Sequence, residues 1–301
     1  MSGDAEGLLG VAAAGFAPPT FKVALPESED DLRAAGDLLV DSCRRAALLG
    51  APHVRIFSFY RDGEPDPERA ARIARQILDG IRLPVPLVVE TGTRTNTPTM
   101  RHLVTFLDAL GRDDVGMLWD PGNSVFSGWD PKPFPADYEL GRDRIRHVHV
   151  KDPDSTRGYV RLGDGDLDWP AILRRLAEDG YARFVSLETH WRHGRQLTAA
   201  ERDEPWGEAF SRDGYAASVE CMQRLRGWVD EILPEGTRSW VCPRFHRSSC
   251  SAPSAPVLPP WHRCSTPRST PSTESSPSTE SFPICCTGGA QRKMSGLDIY
   301  G

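Results

Sequence analysis

Short apolar runs alternate with helix-period stripes along most of this chain, and four of the runs end in a residue that can bind a metal ion. These residues are Glu90, Asp120, His149 and Glu188, at successive intervals of 30, 29 and 39 positions. A strand, a turn and a covering helix take about that many residues. Because every strand of a parallel βα array points the same way, side chains at the strand ends converge on one edge of the sheet. Three carboxylates and one imidazole make a mixed oxygen and nitrogen set that suits a divalent metal.

The apolar pattern predicts an α/β fold with a parallel sheet. Strands are expected at 54–59, 85–89, 115–119, 145–148 and 184–187, and helices around 32–49, 70–81, 103–110, 172–176 and 219–232. The strand segments are short apolar runs, whereas apolar residues in the helical segments recur every three or four positions. Strands that alternate with helices of this length are typical of βαβ units.

The chain changes character near residue 235. We expect one α/β domain over 1–235 and a separate low-complexity tail over 236–301. In the stretch 248–283, Ser, Thr and Pro account for 23 of 36 residues. Such a composition cannot bury enough apolar surface to offset the entropy lost on ordering, so the tail is predicted to be disordered. Two origins stay open for it, a frameshifted or mis-spliced reading frame and a genuine linker.

Composition and charge argue against several classes of protein. The net charge of −6 gives the whole chain no electrostatic bias toward nucleic acid or an anionic membrane. No apolar run approaches the roughly 18–20 residues of a membrane span. No Lys or Arg precedes Lys22, so the apolar stretch 8–16 lacks the basic flank of a signal peptide, and we expect a cytoplasmic protein. Cys43 and Cys221 lie in helical stripes and are interpreted as small buried residues.

Two motifs at strand ends carry most of the candidate chemistry. LWDPGN at 118–123 predicts that Asp120 ends a strand and that a sharp turn brings Asn123 back toward it, although such a turn is also common in ordinary loops. In HVHVKD at 147–152, His147 and His149 point to the same face of a strand, because side chains alternate with a period of two. Lys151 continues that face. It either holds an anionic or hydroxyl-rich substrate or is a solvated lysine.

LGDGDLDW at 162–169 predicts a tight acidic loop that leads into a helix. Asp168 is placed to cap that helix, with Pro170 in its first turn. We therefore assign this motif a structural role.

VVETG at 88–92 and SLETHW at 186–191 are weak signals alone, but with the three motifs above they form an ordered set. In this order the motifs resemble the sugar phosphate isomerase/epimerase family. Its members are xylose isomerase-like TIM barrels and include tagatose and psicose 3-epimerases and inosose dehydratases. The resemblance covers about 21–233.

The resemblance implies a (β/α)₈ TIM-barrel type of fold with a metal site at the carboxyl-terminal mouth. It places Glu90, Asp120, His149 and Glu188 on the fifth, sixth, seventh and eighth strands. One clear strand, at 54–59, and one weaker candidate, at 16–25, precede Glu90. The first two strands of the barrel are therefore expected to be missing, and the domain over 1–235 is expected to be N-terminally incomplete.

The resemblance also assigns roles to individual residues. Glu90, Asp120, His149 and Glu188 would bind the metal, and Glu90 and Glu188 would also move protons as catalytic residues. Asn123 lies where epimerases of the family often carry a substrate-binding histidine. Arg157 is near the position of a family arginine but out of register with it. The residues expected to bind substrate are Asn123, His147, Lys151 and Arg157.

The implied activity is that of a sugar or sugar phosphate isomerase/epimerase that works through a metal-stabilised enediolate. The expected cofactor is Mn²⁺, Mg²⁺, Co²⁺ or Zn²⁺, and the expected partner is a small sugar or polyol. A homo-oligomer is also expected, because barrels of this family often pair. The alternatives are an inosose-type dehydratase on the same site, an inactive truncated paralogue and, less favoured, a nuclease of the endonuclease IV type. A nuclease of that type needs several more histidine and acidic ligands for a metal cluster, and this chain has only 8 histidines.

Overall fold

Five parallel strands form a curled sheet in the computed structural model, which describes residues 15–18, 20–198, 200–201 and 208–232. In order across the sheet these strands are β1 (Val54–Ile56), β2 (Leu87–Glu90), β3 (Val115–Trp119), β4 (Ile145–Val150) and β7 (Phe184–Leu187). Two further strands, β5 (Asp152–Asp154) and β6 (Gly158–Val160), form an antiparallel hairpin after β4. All of the described residues belong to one compact unit.

Helices alternate with the strands along the chain. They are α1 (Glu29–Leu48), α2 (Pro67–Leu78), α3 (Met100–Leu110), α4 (Pro121–Phe126), α5 (Ala136–Gly141), α6 (Trp169–Glu178), α7 (Glu208–Ser211) and α8 (Gly214–Ile232), with a 3₁₀ turn at Arg142–Arg144. The five helical segments expected from the sequence are confirmed within a few residues. The curled parallel sheet with its helices confirms the TIM-barrel type of fold.

The central strands are buried on both faces, as expected for a parallel sheet covered by helices. Every residue of β2 and β3 is buried. Their register pairs Glu90 with Leu118, so the carboxyl ends of the strands lie at the same level. His149 is likewise paired with Ser186 across β4 and β7. This register brings the strand ends to one edge of the sheet.

Aspartates at the helix starts fix where the chain leaves the sheet. Asp66, Asp120 and Asp168 each accept a hydrogen bond from the backbone N–H three residues later. Such a cap satisfies one of the free N–H groups of a first turn. The predicted capping role of Asp168, with a proline in the first turn, is confirmed. At Asp120 the expected sharp turn is instead the first turn of α4.

The first strand is shorter than the expected 54–59. The N–H groups of Phe57 and Phe59 donate to the carbonyls of Thr20 and Phe21 instead of continuing the ladder with β2. Phe59 also has a φ of 60°, which ends the extended conformation. The weaker strand expected at 16–25 appears as a single parallel bridge between Phe16 and Val54.

The division of the chain near residue 235 stays a prediction. The predicted tail 236–301 lies outside the described residues. Cys43 and Cys221 are buried and unpaired, which confirms their interpretation as small core residues. Among the described residues, no helix has the length and apolar character needed to cross a bilayer.

The acidic loop of LGDGDLDW is anchored on one carboxylate at the start of the hairpin. Asp152 accepts hydrogen bonds from the N–H groups of Gly163 (2.7 Å), Gly165 (3.2 Å) and Leu167 (3.4 Å). A Cβ atom on Gly165 would overlap Asp152 Oδ1 and the Pro153 carbonyl oxygen. The loop can therefore close over Asp152 only with glycine at this position.

Replacing Gly165 by alanine is expected to destabilise the protein by about 1–3 kcal/mol, because the new methyl group forces the loop off its anchor. Gly227, in α8, is a matched control, since a Cβ atom there meets nothing within 4 Å. Gly227→Ala is expected to stabilise the protein by about 0.8–1.0 kcal/mol through helix propensity. Urea denaturation of both variants measures the two effects. Equal stability of the two variants would contradict the anchoring role of the Asp152 loop.

Candidate metal centre

Glu90, Asp120, His149 and Glu188 come together at the carboxyl edge of four neighbouring strands. Glu90 is the last residue of β2, Asp120 follows β3, His149 is the penultimate residue of β4, and Glu188 follows β7. One ligand atom from each side chain lies within 4.8 Å of the others. The convergence expected from the strand spacing is therefore present in the structure.

The three carboxylates surround one nitrogen of the imidazole. His149 Nδ1 lies 3.5 Å from Glu90 Oε1, 3.7 Å from Asp120 Oδ2 and 3.6 Å from Glu188 Oε2. Although it is buried, Nδ1 has no hydrogen-bond partner. Ligand atoms that each lie about 2.0–2.2 Å from one ion are roughly 3–3.5 Å apart. The spacing and the unpartnered nitrogen therefore fit a divalent metal at the centre of the four.

Two cations offset the charge of the three carboxylates. Arg55 Nη1 donates to Glu90 Oε2 at 2.6 Å. Lys151 Nζ lies 2.8 Å from Asp120 Oδ2 and also bonds to Glu188 Oε2. Lys151 is only 4% exposed, which excludes the solvated alternative for this residue. Three carboxylates in this small volume would otherwise carry a large cost of burial.

The neighbouring cations keep two of the carboxylates ionised at neutral pH. Burial opposes ionisation of Glu90, but Arg55, followed by His149, lowers its pKa to about 2. Burial likewise opposes ionisation of Glu188, but Lys151 and then His149 hold its pKa well below the usual value. For His149, burial favours the neutral form, yet Glu188, Asp120 and Glu90 raise the pKa to about 9. This site therefore attracts a positive charge, and a divalent ion can supply it in place of a proton.

A layer of hydrogen bonds behind the four residues fixes their positions. Thr91 Oγ1 donates to the Asp120 carbonyl oxygen (3.1 Å) and accepts from the Asp120 N–H (2.9 Å). Asn123 Nδ2 donates to Glu90 Oε1 (3.1 Å) and to the Thr91 carbonyl oxygen (2.8 Å). The Tyr159 hydroxyl donates to Asn123 Oδ1 at 3.2 Å. Asn123, predicted to bind substrate, thus uses both its amide nitrogen and its amide oxygen within the protein.

His147 lies on the same face as His149, as expected from the strand period, with ring centroids 5.1 Å apart. Its Nδ1 pairs with His53 Nε2 at 2.9 Å, and its Nε2 pairs with Ser186 Oγ at 2.8 Å. Burial, followed by the charges of His149 and His53, keeps the pKa of His147 well below its usual value. His147 is therefore a neutral residue of the barrel interior, with both ring nitrogens engaged by the protein.

The structure does not bring Arg157 to the four residues. It lies between β5 and β6, where its guanidinium pairs with Asp154 at 2.6 Å. Its side chain is mostly exposed. The predicted contact of Arg157 with substrate stays a prediction.

Several residues of the site were not expected from the sequence. Arg55 lies within the short apolar strand VRI at 54–56. Because a charge in such a strand needs a partner, this position could have predicted an ion pair for Arg55. Tyr159 had no such signal. It reaches the site only because the hairpin folds back, which also stacks its ring on Phe126 with centroids 4.5 Å apart.

Proteins similar to this chain come from both sequence and structure comparison. Inosose dehydratase of Lacticaseibacillus casei is 28% identical over 139 residues, which are 40% of this chain and 44% of that protein. The curated relatives are matched over only 27% to 44% of their own length. D-psicose 3-epimerase of Clostridium cellulolyticum H10, solved with D-tagatose, superposes with a TM-score of 0.53 at 16% identity. That match covers 72% of this chain and 77% of the epimerase.

A second solved structure, the IOLI protein with a bound zinc atom, has a TM-score of 0.52 at 13% identity and covers 72% of this chain and 77% of its own. At these identities the structural matches establish the fold. The family model described as a xylose isomerase-like TIM barrel matches residues 5–224, well over half of the sequence. The resemblance inferred from the five ordered motifs is therefore confirmed, and this chain belongs to the xylose isomerase-like TIM barrel family.

Proposed function

We propose that this chain is a divalent-metal-dependent isomerase or epimerase that acts on a small sugar or polyol. The observation that carries the proposal is the set of three carboxylate oxygens at 3.5–3.7 Å around the unpartnered nitrogen of His149. The site lies at the carboxyl ends of the parallel strands, where enzymes with this barrel carry out their chemistry. The likeness in fold to a D-psicose 3-epimerase supports the same reaction class.

The two glutamates have different surroundings, which suggests different roles. The Glu188 side chain is 15% exposed, whereas Glu90 is 2% exposed. Glu188 is therefore the carboxylate that an entering substrate meets, and we assign it removal of the proton next to the substrate carbonyl. Glu90 is held by Arg55 and Asn123 and is assigned the return of a proton on the other side. Because Glu90 is ionised at neutral pH, it would first take this proton from solvent or from a substrate hydroxyl group.

A divalent ion bound by the four residues would polarise the substrate carbonyl and make the adjacent C–H more acidic. The protein residues then determine the outcome. Return of the proton to the opposite face of the same carbon gives epimerisation, and return to the neighbouring carbon gives isomerisation. Epimerisation needs two proton carriers on opposite faces of the substrate, a role that Glu90 and Glu188 would fill together, whereas isomerisation needs only one carrier that reaches both carbons.

Dehydration of an inosose is the second candidate, because the relatives matched by sequence include inosose dehydratases. The same proton removal by Glu188, followed by loss of a hydroxyl group from the next carbon, would give this product. A nuclease of the endonuclease IV type is disfavoured. Within the described part of the chain, the four residues above are the one group of histidines and acids that could hold a metal. The complete set of four also argues against an inactive paralogue.

Addition of Mn²⁺ or Zn²⁺ to the metal-free full chain is expected to raise its melting temperature and to give about one bound ion per chain. A ligand present at 100 times its dissociation constant adds about 2.7 kcal/mol to the free energy of unfolding. Asp120→Asn is expected to lose most of this gain. Glu178→Gln, an exposed acid on α6, is the control and should retain it. A wild-type chain that binds no metal and shows no shift would refute the proposed metal centre.

Glu188→Gln is expected to lower the exchange of the substrate proton with solvent by about 10²–10⁴-fold, the usual contribution of a general base. Incubation with ketoses and inososes in D₂O, followed by NMR or mass spectrometry, measures both deuterium uptake and product type. Glu178→Gln should exchange at the wild-type rate. Undiminished exchange in Glu188→Gln would rule out its role as the base. The product formed by the wild type separates epimerisation, isomerisation and dehydration.

A further inference from the structure

The ammonium of Lys151 forms ion pairs with two of the carboxylate oxygens that face the unpartnered nitrogen of His149. Asp120 Oδ2 lies 2.8 Å from Lys151 Nζ and 3.7 Å from His149 Nδ1. Glu188 Oε2 bonds to the same Nζ and lies 3.6 Å from the same Nδ1. These are the oxygens that a metal at the centre would use. The lysine and the metal therefore require the same two atoms.

Arg55, the half-buried arginine of the site, is placed differently. It bonds to Glu90 Oε2, whereas Glu90 Oε1 is the oxygen that faces His149. Arg55 thus offsets the charge of Glu90 without contacting the inward-facing oxygen, whose partner is the neutral amide of Asn123. The two cations have the same formal charge, but only Lys151 occupies atoms of the candidate metal site. A comparison of the two residues therefore distinguishes a general effect of positive charge on metal affinity from direct competition for the ligand oxygens.

We propose that Lys151 is a positioning residue that acts as a tethered counter-ion and competes with the divalent metal for Asp120 Oδ2 and Glu188 Oε2. In the metal-free protein its ammonium holds the two carboxylates together and offsets part of their charge. When a metal binds, the ammonium gives up these two oxygens, because two cations on the same pair of oxygens repel each other strongly. Lys151 therefore sets the affinity of the site for metal. The inference rests on the metal centre proposed above.

The structure offers a place for the displaced ammonium. The ring of Tyr159 lies over Lys151, with Nζ 5.5 Å from the ring centroid, which is within the range of a cation–π interaction. Tyr159 is held in place by its hydroxyl bond to Asn123 and by stacking on Phe126. An ammonium moved toward this ring is free to bind an oxygen of the substrate. In this way metal binding would prepare Lys151 for the substrate contact expected from the sequence.

The test is the dissociation constant of Mn²⁺ for the full chain, measured by titration calorimetry for the wild type, Lys151→Met and Arg55→Met. Removal of a competing cation is expected to tighten Mn²⁺ binding at least tenfold in Lys151→Met. Arg55→Met removes an equal charge from an oxygen that does not face His149, so its gain should be clearly smaller. Unchanged or weaker binding in Lys151→Met would overturn the proposal. Equal gains in both variants would also overturn it, since net charge alone would then explain the effect.

A second measurement covers the case in which the variant folds poorly. Metal-free Lys151→Met is expected to melt at a lower temperature than the wild type, because its carboxylates lack the counter-ion, and Mn²⁺ should restore much of the loss. If the metal-free variant does not fold, refolding with Mn²⁺ present should recover a cooperative melting transition, and failure to recover it would contradict the proposal. If the wild type binds Mn²⁺ and Lys151→Met binds it no more tightly, only the role of Lys151 is refuted. Wild type that binds no Mn²⁺ refutes the metal centre itself.

Discussion

The buried negative charge of Glu90, Asp120 and Glu188 around one imidazole nitrogen is the constraint on which the rest of the site depends. Carboxylates lose much of their hydration when they are buried, and they remain charged only if cations or hydrogen-bond donors replace the lost water. Arg55 and Lys151 supply the cations, and the Asn123 amide supplies a donor to Glu90. Without a bound cation, three buried carboxylates lower the stability of the fold. Their presence therefore favours a site built to bind a positive ion.

The parallel sheet is what makes the convergence possible. Neighbouring strands in register end at the same level, so one ligand from each of β2, β3, β4 and β7 reaches a common point. The segments after the strands then hold the ligands in place. Asp120 caps α4, which brings Asn123 beside Glu90, and Asp152 anchors the loop that follows the β5–β6 hairpin. The same residues that end the strands thus orient the site.

The sequence predicted the parts of this structure that follow from strand periodicity and spacing. The four metal-ligand candidates, the shared face of His147 and His149, and the cap at Asp168 all depend on local rules. The ion pair of Arg55 with Glu90 and the bridge from Lys151 to Asp120 depend on which strands are neighbours and on side-chain geometry.

Tyr159 and Arg157 illustrate the same limit. Arg157 lies in the turn between β5 and β6, and Tyr159 lies on β6. Residues two apart on one strand point to the same side, but a residue in a turn does not follow this rule. Only Tyr159 reaches the site. Spacing along the chain therefore predicts which strands carry ligands. It does not predict the contacts that form when loops fold back over them.

A crystal structure of the full chain grown with Mn²⁺, with anomalous scattering recorded, is the most direct test of the metal centre. We expect one strong anomalous peak bonded to one atom from each of Glu90, Asp120, His149 and Glu188, at about 2.0–2.3 Å. We also expect that Lys151 Nζ no longer bridges Asp120 and Glu188. An anomalous map with no peak at this position, with the lysine still bonded to both carboxylates, would contradict the metal centre.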